Sequence, residues 1–194
     1  MKRFFILFAL LMLPFTANAQ GGSPDQTTRS PRGDFRIEQF QTNQGESAWV
    51  VSARQRTHLG ASQPPDHINP ANVSFTTDFA ISPNEQYIFG AQKYVRSVGL
   101  AYLYRRASGL NYRPATTLRF DEAAWRYFHR QRPQDTVPTI DDGGRIVDFV
   151  SWSRDSRHLH IQLRGHISAY WLADYDTLTG QFRLLSHSPN SFVK

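Results

Sequence analysis

The sequence predicts a mainly β fold: antiparallel strands in hairpins and meander sheets, with one short helix near 121–132. Two observations predict it. Two segments of alternating apolar and polar residues, broken by turn residues, repeat at a fixed spacing. Between them lies one stretch whose apolar residues recur at helical spacing.

The elements follow in chain order. Apolar alternation begins at Phe35-Arg36-Ile37, and Ala48–Val51 reads as a strand bounded by Gln44-Gly45 and Gly60. Residues 61–71 hold Pro64, Pro65 and Pro70 and read as a loop. The first repeated unit is FAISPNEQYIFGAQ (79–92) with GLAYLYRRASGLNYRPA (99–115). The second is VSWSRDSRHLHIQL (150–163) with YWLADYDTLTGQFRLL (170–185). At an offset of 71, Ser82 matches Ser153, Tyr104 matches Tyr175 and Gly109 matches Gly180. Asn84 and Asp155 suit tight turns because their side chains bond back to the chain. Gly109 and Gly180 supply permissive dihedrals for a second hairpin. Between the units, Asp121 is the expected N-cap and Phe120 the staple onto Trp125. Trp125 and Phe128 form the apolar stripe and Pro133 ends the helix. Asp141-Asp142-Gly143-Gly144 then turns into a strand over 145–150.

The N-terminus reads as an export signal. Lys2 and Arg3 precede the apolar run Phe4–Leu13, and Ala17-Asn18-Ala19 offers a cleavage site before Gln20. The run is shorter than the about 20 residues that span a bilayer. The expected organisation is a signal peptide over 1–19, a flexible leader over 20–33 and one β-rich domain over 34–194. Its two repeated units cover about 76–118 and 147–187, with a third, degenerate unit near 35–60. The expected compartment is periplasmic or extracellular, with no membrane span after cleavage.

Removing Lys2 and Arg3 lowers the formal charge from +6 to +4. The remaining charges are interspersed, so a nucleic-acid partner is not expected. The chain has no cysteine, which excludes thiolate chemistry and disulfides. No cofactor motif is present, nor any G-x-S-x-G, S-x-x-K or H-E-x-x-H pattern.

AISPNEQYIFGAQ and SWSRDSRHLHIQL resemble the Ser-Pro-Asp-Gly-Lys turn and strand of TolB-like and WD40-like β-propeller repeats. YDTLTGQFRLL is similar to the closing hairpin of such a blade. The first copy reads Ser-Pro-Asn-Glu and the second Ser-Arg-Asp-Ser, so both lack the glycine. The resemblance implies blade-like sheets, either as an incomplete propeller, closed or not by a second copy, or as a sandwich-like stack. A propeller fold by itself names no function.

Three kinds of site present themselves. His158 and His160 share a strand face with Gln162 and Arg164, and His166 follows in the next turn. These three histidines are the candidate metal ligands, although Arg157 and Arg164 flank them, and ordinary strand surface is the simpler account. Asp141-Asp142 and Asp174-Tyr175-Asp176 read as hairpin turns. Aromatic residues are dense from 94 to 175 with arginines among them, a composition enriched at protein interfaces. Tyr102, Tyr104, Arg105, Tyr170 and Trp171 are the candidate partner-binding residues. The leading expectation is a secreted or periplasmic non-enzymatic protein, an envelope accessory or inhibitor-like factor, that binds a protein or envelope component. A small secreted hydrolase acting on cell-wall or glycan substrates and a histidine-based metal module are the alternatives.

Overall fold

The computed structural model describes residues 23–42, 45–62, 76–95, 98–133, 145–164 and 170–188. The expected signal peptide and His166 lie outside these residues. The fold is mainly β, as expected. The first sheet runs β1 (Gln26–Arg29), β2 (Arg36–Thr42), β3 (Gly45–Val51), β4 (Arg56–Ser62), in that order. The second runs β5 (Thr76–Ile81), β6 (Tyr87–Val95), β7 (Val98–Ser108), β8 (Asn111–Pro114). The third runs β9 (Ile146–Trp152), β10 (His158–Arg164), β11 (Tyr170–Asp176), β12 (Gln181–Ser188). Every neighbouring pair is antiparallel, so each sheet is a simple meander. The helix α1 (Phe120–Gln131) joins the second sheet to the third. Among the described residues no helix is long and apolar enough to cross a membrane.

One turn geometry recurs in all three sheets, between the first and second strand of each. In the second sheet, Ser82 Oγ accepts from the Tyr87 N–H (2.9 Å) and donates to Asn84 Oδ1 (2.9 Å). In the third, Ser153 Oγ accepts from the His158 N–H (2.8 Å) and donates to Asp155 Oδ1. In the first, Ser30 Oγ accepts from the Phe35 N–H (3.2 Å). The residue three places after each serine, Gly33, Glu85 or Ser156, has positive φ of 80°, 60° or 63°. Its N–H donates to the carbonyl of that serine at 2.8–3.0 Å.

This turn corrects the leader expected over 20–33. Ser30-Pro31-Arg32-Gly33 closes a hairpin, and Gln26–Arg29 pairs with β2 as a strand. Its polar composition suggested disorder. A short edge strand needs little apolar content when its backbone is paired.

The three sheets stack face on face. Phe35, Ile37, Ala48 and Val50 of the first sheet pack with Ile88 and Tyr112 of the second. Tyr87, Phe89, Ala101 and Leu103, on the second sheet's other face, pack with α1 and with Leu159, Ile161 and Trp171 of the third. Phe120, Ala124, Trp125 and Phe128 are the buried stripe of α1. Asp121 is not the cap, which is Arg119 without a side-chain bond. Its carboxylate lies inside the first turn, bound by the Arg119 guanidinium at 2.6 and 3.0 Å. Burial holds that carboxyl above the usual carboxylate range even with Arg119 beside it.

Between the first and second sheets lies a polar patch. Glu46 accepts from Gln39 Nε2 and Thr77 Oγ1, and Gln39 Nε2 also donates to the Thr77 carbonyl (2.8 Å). Buried polar groups that bond only in one alignment fix the register of the packed sheets.

The turns also bond across sheets. The Arg32 N–H donates to Glu85 Oε1 (3.0 Å), and the Asn84 N–H donates to Ser156 Oγ (2.9 Å). In these serine turns the side chains of Glu85 and Ser156 thus bind the preceding turn, whereas Gly33 has none to offer.

Ser82 is fully buried. Ser82→Ala leaves the Tyr87 N–H without its side-chain acceptor and costs about 1–3 kcal/mol. In thermal unfolding this lowers Tm by about 2–4 °C per kcal/mol. Ser153→Ala, at the half-exposed third turn, lowers it less.

Candidate functional site

A stack of three sheets leaves two outward faces, one at each end. On the third sheet, His158, His160, Gln162 and Arg164 point outward, while Leu159, Ile161 and Leu163 are buried. The register places Ser151, His160, Asp174 and Arg183 in one row across all four strands. Asp174 is its centre and is only 3% exposed. His158 Nδ1 lies 3.0 Å from both Asp174 oxygens, and Arg183 donates at 3.2 Å. A carboxylate only accepts, so His158 Nδ1 carries the hydrogen. His160 Nδ1 meets Ser151 Oγ at 3.0 Å, while its Nε2 is 3.9 Å from Asp174.

This row holds serine, histidine and aspartate, but not as a nucleophile triad. The acid is committed to His158, and His160 lies beyond hydrogen-bond reach of it. Among the described residues no group of three His, Cys, Asp or Glu side chains is placed to hold a metal ion. The carboxylate that the histidines face comes from β11. Asp174 lies in the strand, not in the turn the sequence suggested. Asp176 makes the turn, accepting from the Leu178 and Thr179 N–H groups at 2.8 and 3.2 Å.

The other end is the outer face of the first sheet. The register sets Arg29, Arg36, Val51 and Arg56 in one row, and Thr27, Glu38, Trp49 and His58 in the next. The Arg56 guanidinium lies over Phe40 (5.3 Å) and Trp49 (4.8 Å). His58 meets the Trp49 ring edge-on at 4.7 Å, and Trp49 Nε1 donates to Ser47 Oγ (2.9 Å). Glu38 binds Arg36 at 2.6 Å and lies 3.9 Å from Arg56. Among the described residues, the packed cores draw no side chain from this row pair.

The expected partner-binding residues scatter. Trp171 is 1% exposed and sits in the core, perpendicular to Trp125 at 5.5 Å. It is therefore no surface residue; its strand position faces the helix, not solvent. Tyr102 and Tyr104 stack at 6.2 Å on the face of the second sheet that meets the first, and both are half-buried. Burial and the neighbouring Tyr102 push the Tyr104 phenol well above its ordinary range. Arg105 is exposed. The Tyr170 side chain lies outside the described residues.

The aromatic and arginine surface is instead Trp49, Arg56, Arg36 and His58. Its sequence signal is the double alternation of Arg36-Ile37-Glu38-Gln39-Phe40, in which every second residue is charged or aromatic.

No family model matches this sequence, and no curated protein matches it. Solved structures do show likenesses. TolB from Acinetobacter baumannii aligns at 15% identity and TM-score 0.46, over 86% of this chain and 32% of that one. A protein from Lactobacillus plantarum aligns at 10% identity and TM-score 0.45, over 86% and 42%. The periplasmic gluconolactonase of Pseudomonas aeruginosa aligns at 16% identity and TM-score 0.39, over 85% and 56%. The chain thus spans less than two thirds of each of these structures.

Two measurements test the buried groups. Asp174→Asn removes the charge that His158 and Arg183 address, and urea unfolding should show a loss of about 1–3 kcal/mol. The tyrosines give a pH dependence. Burial raises Tyr104, Tyr112 and Tyr175 above the ordinary value of 10.0. A raised folded-state pKa contributes stability below pH 10 that is lost as pH rises further. Ultraviolet titration of the folded protein should show late-ionising phenols, one fewer in Tyr104→Phe.

Proposed function

We propose that this chain works outside the cytoplasm as a non-catalytic binding protein that engages a protein of the cell envelope through the outer face of its first sheet. One observation carries the reading. Trp49, Arg56, Arg36 and His58 stand together on a strand face outside both packed cores. Tryptophan and arginine are the residue types that most often anchor protein interfaces.

The arrangement is prepared for binding before a partner arrives. Arg56 is held between two rings and Trp49 is tied to Ser47, so little side-chain freedom is left to lose on association. The export signal in the sequence supports the compartment. The histidine row on the third sheet supports a soluble end face, since Asp174 already satisfies the groups beside it.

The test uses the mature chain as bait in a crosslinking capture from periplasm. The parent protein is expected to recover a reproducible partner. A Trp49→Ala/Arg56→Ala variant should bind that partner about 30-fold or more weakly, the loss typical of an anchor residue. Full binding by the variant, with an unchanged melting temperature, would falsify the assignment of this face.

A further inference from the structure

The outer face of the first sheet is unlike at its two ends. The turn Ser30–Phe35 and the hairpin Ser52–Gln55 close the same end. Arg32 and Arg54 stand exposed in those two turns, and the row Arg29, Arg36, Arg56 lies directly beneath them. Among the described residues, Arg29, Arg32, Arg36, Arg54 and Arg56 at this end stand with three carboxylates: Asp34, Glu38 and the buried Glu85, which accepts from the Arg32 N–H and lies 3.7 Å from Arg106. A groove runs between the turns, lined by Arg29 and Arg36 from the sheet, Gly33 and Asp34 from one turn, and Ser52 and Ala53 from the other.

Gly33 stands at the rim of the groove with positive φ. The equivalent positions in the other turns carry Glu85 and Ser156, whose side chains bond the preceding sheet. A Cβ built on Gly33 meets nothing within 4 Å, so this end of the stack offers space where the other turns have a neighbour.

We propose that this groove binds an acidic segment of the partner protein, with Arg29 of its lining and Arg54 of the adjoining turn taking its aspartate and glutamate carboxylates. The inference rests on the reading that this face is the docking face, and adds the chemistry of what docks. Glu38 shows the fit on a small scale, its carboxylate held by Arg36 with Arg56 nearby. Guanidinium forks match carboxylates in geometry as well as charge. A glycan is the weaker occupant, because the Trp49 ring already carries Arg56 over its face and His58 against it.

The experiment titrates the mature chain with a fluorescent ten-residue Asp/Glu peptide, a Gln/Asn peptide of equal length, polygalacturonate and polyphosphate. The acidic peptide should bind at low salt, more tightly than the neutral peptide and, at equal charge, than the two polyanions, and weaken as salt screens the arginines. Arg29→Glu/Arg54→Glu, both at exposed positions, should lower its affinity by about tenfold or more. Arg126→Glu, on the exposed side of α1, should leave it unchanged. Equal binding of the neutral peptide, tighter binding of polygalacturonate or polyphosphate, or an unaffected reversal variant each overturns the proposal. If the reversal variant does not melt cooperatively, Arg29→Gln/Arg54→Gln replaces it with the same expectation. Failure of the acidic peptide while capture still depends on Trp49 and Arg56 overturns the acidic chemistry alone. Loss of that dependence with peptide binding intact overturns the docking-face assignment instead.

Discussion

Every strand in this protein has two faces, and a stack of three sheets can cover only four of its six. That constraint organises the molecule. Reading the sheets in register from their serine turns makes it visible. Phe35 and Ile37 of the first sheet occupy the places of Tyr87 and Phe89 in the second, and of His158 and His160 in the third. In the first two sheets this face meets a neighbour and is buried. In the third it meets none of the other described sheets, and imidazoles stand where the first two have apolar side chains. The opposite face tells the same story from the other end. Ile88 and Leu159 are buried, whereas the matching residue in the first sheet is the exposed Arg36. Polar outer faces at both ends are what repeat stacks need to stay soluble.

The turn bonds set the order of the stack. Each serine closes its own hairpin, and the Glu85 and Ser156 side chains reach the turns before them. The chain of bonds begins at Gly33, which has no side chain to offer a preceding sheet. The same residue lines the groove between the two turns of the first sheet.

Local chemistry made much of the fold legible in the sequence. The two repeated units, the closing glycines and the helix stripe were readable because period, turn residues and caps act over a few residues. Gly109 and Gly180 indeed take positive φ, at 52° and 70°. The first sheet was harder. Ser30-Pro31-Arg32-Gly33 carries the turn signal more fully than either recognised unit, yet it sits in polar sequence that reads as a leader. The candidate site was least legible. Aromatic density pointed to 94–175, where most rings fill the space between sheets. Trp49, with fewer aromatic neighbours in sequence, is the tryptophan on an outer face.

The sequence alone determined the strand class, the repeat of 71, the single helix and the expectation of export, because each depends on neighbours along the chain. It also determined that strands of the two repeated units, such as β10, carry an apolar face. Only the tertiary structure decided which faces meet. A residue cannot encode whether another sheet lies above it, so His158 and Tyr87 look alike in pattern and differ in burial. Packing also brought Asp174 beneath His158, set Arg29, Arg36 and Arg56 in one row, and sent Trp171 into the core. These are relations between strands far apart in sequence, and they exist only once the sheets have formed and stacked.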